Sequence, residues 1–144
     1  LAFLDARRGL PTFLYVHTMD PHVPYTPPAP FDRRYEPHPA KGHPGQDPRT
    51  DYHEPSDRER LIAQYDGEIA YADTQTERFL DYLDQHGFFD DTILVFTADH
   101  GEELGDHGLW EHDWMYNTNQ FVPLIVRIPD GRGRGEQKPD ARRR

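Results

Sequence analysis

Residues 95–112 read V-F-T-A-D-H-G-E-E-L-G-D-H-G-L-W-E-H. An apolar run ends in Asp99-His100-Gly101, and His112 follows twelve residues after His100. The run Ile93-Leu94-Val95-Phe96-Thr97, led in by Asp91 and Thr92, is apolar throughout, as a strand buried on both faces is. In open parallel α/β sheets, ligands gather beyond the carboxyl ends of the strands. An adjacent Asp-His pair delivered there offers a divalent cation one hard oxygen and one borderline nitrogen. Adjacent strand residues point to opposite faces, so both reach one ion only where the backbone turns, and Gly101 permits a turn. The donor mix suits zinc, manganese, magnesium or calcium in varying degree and does not choose among them.

Upstream, Ser56-Asp57-Arg58-Glu59 has the pattern of a capping box. The helix it opens carries Ile62, Tyr65, Ile69, Ala72, Thr76, Phe79 and Leu83 at spacings of three and four, which predicts one apolar face. His86-Gly87 closes it. Thr12 to His17, after a Gly-Leu-Pro turn, reads as a first buried strand. A third apolar run spans Phe121 to Ile128, with Pro123 near its start, where a missing amide is tolerated. Strand, long helix and strand predict a right-handed crossover and a parallel sheet.

The 144 residues suit one domain, with a working domain over 1–130 and a basic tail over 131–144 that reads as disordered. Residues 19–55 hold ten prolines, which forbid regular structure there, and a loop of that length is functional or disordered. The net charge is −10, and no basic stripe offers a phosphate backbone a footing, so nucleic acid is not an expected partner. The absence of cysteine removes disulfides, thiolate metal sites and a cysteine nucleophile from this chain. No apolar run approaches the roughly 18 residues of a spanning helix, and no signal peptide is visible. Leu1 to Gly9 reads as the end of an amphipathic helix, which suggests a piece of a longer protein.

Each candidate residue also has a plain structural explanation. Asp-His-Gly at a strand end is commonly just a turn. His22, between two prolines, serves as well as solvated loop. His112 fits a surface place beside Trp110, His17 a packing or hydrogen-bonding role, and His107 a tie to Asp106 within its loop. His38, His43 and His53 have no evident partner.

The ordered set says more than its parts. F-L-Y-V-H-T-M-D-P-H-V-P-Y, then Y-D-G-E-I-A-Y-A-D, then D-D-T-I-L-V-F-T-A-D-H-G-E-E-L-G-D-H-G-L-W-E-H, then F-V-P-L-I-V-R-I-P resembles the sulfatase family of the alkaline-phosphatase-like superfamily over about residues 10 to 130. The resemblance implies a three-layer α/β/α sandwich, of which this is the carboxyl-side part, and hydrolysis of sulfate esters on small molecules or glycans. It implies one divalent cation, calcium ahead of manganese, magnesium and zinc. Asp99 matches the family's cation-binding aspartate. His100 matches the next position, which is asparagine in many arylsulfatases and histidine in members nearer the phosphonate monoester hydrolases. His22 matches a histidine that contacts the sulfate or leaving-group oxygen, which suggests a general acid. His112 falls where many members have a lysine reaching the sulfate and others a histidine; it is assigned a non-bridging oxygen. The residues themselves leave the location unknown, and the resemblance is compatible with an extracytoplasmic one, periplasmic or secreted.

The chain departs from the family in what it lacks. The family's amino-terminal half supplies an aspartate pair for the metal and a Cys- or Ser-x-Pro-x-Arg motif whose first residue becomes formylglycine, the nucleophile as its hydrated aldehyde. Ser56 is the sole serine here and sits in no such motif. The isolated chain is therefore expected to bind metal weakly and turn over little. Two rival readings are a phosphonate or phosphodiester hydrolase or headgroup transferase of the same superfamily, and an inert remnant or interaction module whose proline-rich loop binds a partner.

Overall fold

The computed structural model describes residues 2–35 and 55–129. Most of the proline-rich loop, with His38, His43 and His53, and the basic tail lie outside the described residues. The elements in order are α1 (Ala2–Asp5), a 3-10 turn (Phe31–Arg33), α2 (Pro55–Gln85), a second 3-10 turn (Phe88–Asp90), β1 (Leu94–Thr97), β2 (Glu103–Leu104), β3 (Trp110–Glu111), α3 (Asn117–Gln120) and β4 (Leu124–Arg127).

The long helix α2 organises the molecule. Its 31 residues span about 46 Å at about 1.5 Å each. It starts at Pro55, one residue before the expected capping serine, and proline suits a first helical position because its missing amide is not needed there. It stops at Gln85, and Gly87 at φ 71° turns the chain away in the left-handed region. Short α1 docks near this end: Leu4 is buried, and the Arg8 guanidinium donates to the His86 carbonyl at 3.2 Å.

The face that α2 buries differs from the expected apolar stripe. Leu83 is buried as expected, but Ile62 and Ile69 are 36% and 43% exposed. Leu61, Ala63, Gln64, Gly67 and Glu68 are buried instead. The cause is the partner. This face meets residues 25–32, an irregular segment whose backbone polar groups need hydrogen bonds that an apolar stripe cannot supply. Gln64 Nε2 donates to the Asp32 carbonyl at 3.5 Å, and Glu68 Oε1 accepts the Thr26 amide at 2.6 Å. Edge-to-face aromatic pairs complete the contact, Tyr25 with Tyr65 at 5.4 Å and Phe31 with Tyr71 at 5.6 Å between centroids. Gly67 sets the approach distance: a Cβ there would lie 2.7 Å from the Phe31 carbonyl oxygen and 2.9 Å from Pro27 Cγ.

The strands also correct the expectation. β1 and β4 pair antiparallel, Leu94 opposite Arg127 and Thr97 opposite Leu124, so this sheet is not parallel. The chain between them turns back through a hairpin and α3 rather than crossing over through a long helix. Thr12 to His17 forms no strand; residues 11–20 are exposed, Phe13 by 91%. β1 is apolar throughout as expected but is not buried, because two strands cover neither face of each other, and Leu124 on β4 is 68% exposed. Arg127 anchors β4 by donating to the Phe89 and Thr92 carbonyls at 2.7 and 3.2 Å and lying 4.4 Å over the Phe89 ring. Among the described residues no helix is long and apolar enough to cross a membrane.

Two stability predictions follow from α2. Replacing a mid-helix glycine by alanine ordinarily gains about 0.8–1.0 kcal/mol. At Gly67 the added methyl meets backbone, and overpacking costs about 1–3 kcal/mol, so Gly67→Ala should lower stability in urea unfolding; a stabilised variant contradicts the packing. Glu68 is 3% exposed, and burial pushes its carboxyl up from 4.5 to about 7. The Thr26 amide opposes the shift and Asp20 adds to it. Between those values the folded chain holds a proton that the unfolded chain has lost, so this group makes stability fall as pH rises from about 4.5 to 7, by up to about 1.4 kcal/mol per unit. Glu68→Gln should flatten that part of the stability–pH curve, and an unchanged slope would contradict the assignment.

Candidate functional site

The site is built on a reversal that the sequence reading did not single out. β2 and β3 pair antiparallel, Glu103 with Glu111 and Leu104 with Trp110. Gly105 and Gly108, at φ 94° and 71°, take the left-handed positions of the connecting turn, which is closed by Gly105 N–H to the Leu109 carbonyl at 2.9 Å. The Trp110 ring lies against Gly105, where a Cβ would meet Cζ2 at 3.2 Å. One step beyond the paired residues, Glu102 and His112 face each other, Oε1 to Nδ1 at 3.5 Å. The hairpin thus carries His112 back to the strand end it left: the His100 and His112 rings stack at 4.1 Å with 24° between planes. The only visible signal was the pair of glycines in Leu104-Gly105-Asp106-His107-Gly108-Leu109, flanked by apolar residues.

His22 joins them from the proline-rich segment, its ring 5.4 Å from His112. Its Nδ1 lies 2.7 Å from the Val23 carbonyl, and His100 Nδ1 lies 2.8 Å from the Gly101 carbonyl. A carbonyl only accepts, so each Nδ1 carries the hydrogen and each Nε2 is left for another partner. His100 Nε2 is 3.9 Å from Asp99 Oδ1. Asp99 is largely exposed, and its carboxyl is held below the usual range by its own backbone amide first, with His100 and His17 adding to this. Three of the predicted residues, His22, His100 and His112, therefore meet ring to ring, with Asp99 at the rim. His17 remains outside the stack, exposed, with Nδ1 3.1 Å from the Tyr15 hydroxyl.

Gly101 acts differently from the expected turn. Its φ is not positive; a Cβ there would collide with the Thr118 carbonyl oxygen, and its amide donates to the Asn119 carbonyl at 2.8 Å. The glycine lets the α3 region close over the strand end. Buried Asn119 in turn donates to the Trp114 carbonyl at 2.8 Å, holding the loop after His112. Glu111, beside His112, has φ 67°, a strained place for a non-glycine residue that costs on the order of 1–3 kcal/mol.

Two buried acidic groups neighbour histidines here, Glu102 at His112 and Glu103 at His107. The Glu102 side chain is almost fully buried, which pushes its carboxyl up, while His112 and then His100 pull it down. Burial, and then Glu102, raise the Tyr65 phenol on α2. Glu103 is fully buried and receives hydrogen bonds from the Thr118 hydroxyl and from His107 Nδ1, 3.1 Å from both carboxylate oxygens. Burial pushes Glu103 up, but these donors outweigh it and hold the carboxyl low. His107 thus ties its loop through Glu103 rather than Asp106, and it stacks on Tyr116 at 4.0 Å. Glu102 and Glu103 carry no motif of their own in the sequence.

The Asp99–His100 pair fits part of a cation site. Two ligands bound at about 2.0–2.6 Å lie no more than about 5 Å apart, and a ligating histidine characteristically donates its other nitrogen to a carbonyl. Among the described residues no group of three or more histidine, aspartate or glutamate side chains is placed to hold an ion. A complete site would need ligands beyond this pair.

The sequence model described as Sulfatase matches residues 1–143. The chain is 31% identical over 157 residues to the multifunctional alkaline phosphatase superfamily protein PehA of Trinickia caryophylli, covering 88% of this chain and 30% of that protein. It is 40% identical over 88 residues to iduronate 2-sulfatase of Homo sapiens, covering 60% of this chain and 16% of the relative. Phosphoethanolamine transferase EptA of Salmonella typhimurium is 30% identical over 117 residues, 78% of this chain and 20% of that protein. The chain spans less than a third of the length of these relatives. With a family match over nearly all of its residues, the chain belongs to the sulfatase family.

Proposed function

We propose that this chain contributes the cation-and-anion-binding side of an active site that hydrolyses sulfate esters. The observation that carries the reading is the convergence of His22, His100 and His112 at one strand end beside Asp99. A sulfate ester bears negative charge on its non-bridging oxygens, and that charge must be matched by donors while the ester S–O bond breaks. His112 grips one non-bridging oxygen through Nε2, its Nδ1 being turned to Glu102. His22 is held through Nδ1 by the Val23 carbonyl and gives its Nε2 proton to the departing oxygen, so that the alcohol leaves neutral.

Asp99 and neutral His100 are two ligands for one divalent cation, calcium first by family. When bound, that cation supplies Lewis-acid neutralisation of sulfate charge. The nucleophile, the remaining ligands and the rest of a three-layer α/β/α sandwich belong to the stretch of the relatives that this chain does not span. The exposed apolar faces of β1 and β4 support that reading of the fold. The match to a phosphoethanolamine transferase keeps phosphoryl transfer as the second reading.

The test is hydrolysis of an aryl sulfate, against an aryl phosphate diester, by a polypeptide that joins this chain to the nucleophile-bearing segment. Sulfate release should dominate; release from the diester alone would move the assignment to phosphoryl transfer. In that protein His22→Ala should lower kcat by about 10²–10⁴-fold, with the largest losses on substrates with poor leaving groups. Asp99→Asn should weaken calcium binding in calorimetry, and unaltered affinity would remove Asp99 from the ligand set. This chain by itself should release no sulfate, and robust turnover by it would overturn the division of labour.

A further inference from the structure

The segment that carries His22 is tied to α2 four residues further on, at Thr26. Among the described residues, 21–24 pair with no strand, and the His22 ring bonds the Val23 carbonyl of its own segment. On α2, Glu68 is 3% exposed and its Oε1 accepts the Thr26 amide at 2.6 Å. Asp20 pushes this carboxyl's pKa up further and His22 pulls it down. The other carboxylate oxygen is buried with no hydrogen-bond partner. A buried carboxylate is costly to keep there unless it organises what it touches.

We propose that Glu68 is a positioning residue for His22, fixing the height of residues 22–26 over α2 so that the His22 ring meets His112. The proposal rests on the reading of His22 as the leaving-group acid, but the geometry it asserts is independent of catalysis. What matters is reach. Glutamate spans from the helix to the Thr26 amide; aspartate is one methylene shorter and keeps the charge, and glutamine keeps the reach and a carbonyl acceptor without the charge.

The experiment is proton NMR on this chain, with Glu68→Gln, Glu68→Asp and Glu68→Ala, observing cross-relaxation between histidine rings. In the parent chain and in Glu68→Gln the His22–His112 contact should be present, and the Thr26 amide should remain protected from exchange. In Glu68→Asp and Glu68→Ala the His22–His112 contact should be lost while the His100–His112 contact persists. If the alanine variant does not fold, the contrast between glutamine and aspartate decides. Retention of the His22–His112 contact in Glu68→Asp would overturn the proposal, as would loss of both ring contacts together, which marks a merely structural role. Neither result depends on metal or on ester hydrolysis, so a failure here is separable from a failure of the functional reading.

Discussion

The pairing of Glu103 with Glu111 is the constraint on which the rest depends. Two residues of antiparallel ladder on each side are little structure, yet they determine what lies beyond their open end. Because Glu103 and Glu111 are opposite, Glu102 and His112 must be neighbours, and His100 follows within stacking distance. The hairpin is held by more than its own hydrogen bonds. The buried Glu103 collects Thr118 from the α3 side and His107 from the turn, so one carboxylate joins three segments. Gly101 allows the α3 region to close at backbone contact, and Glu111 carries the strain of the bend next to His112. Strain held beside a candidate functional group by surrounding contacts is a recurrent pattern in active sites.

The second organising theme is polar burial. Gln64 and Glu68 on α2, and Glu102 and Glu103 on the hairpin, are buried, while many large apolar side chains are exposed. A helix seated on an irregular proline-rich segment has to supply the hydrogen bonds that a neighbouring strand or helix would supply to itself. Of these carboxylates, Glu102 faces His112, Glu103 binds His107 and Glu68 binds the Thr26 amide.

The chemistry was more legible in the sequence than the topology. Asp99, His100, His112 and His22 are distinctive residues in an ordered pattern, and the structure brings the three rings together. The long helix and its glycine stop were also readable, because helical periodicity and a left-handed terminator are local signals. The buried face of α2 was not, since apolar spacing assumes an apolar partner and the partner here is a backbone in need of hydrogen bonds. The parallel sheet was inferred from element order alone, and the antiparallel β1–β4 pairing depends on a hairpin encoded only by Gly105 and Gly108. Thr12 to His17 has strand composition, but composition cannot supply a neighbour to pair with. Glu68, Glu102 and Glu103 were invisible because a glutamate in sequence reads as solvated surface; only their burial gives them roles.

The exposed apolar residues of β1, β4 and the 12–17 stretch are consistent with a chain that spans under a third of its relatives' length. The central claim does not depend on what covers them. It states that His22, His100 and His112 form one anion-facing cluster with Asp99 beside a cation. The most direct measurement is an NMR titration of this chain with inorganic sulfate in calcium, following all resolved histidine rings. The account predicts that His22, His100 and His112 respond together along one binding curve while His86 and His107 stay still. A response confined to other histidines, or spread evenly over all of them as charge screening would produce, would contradict it.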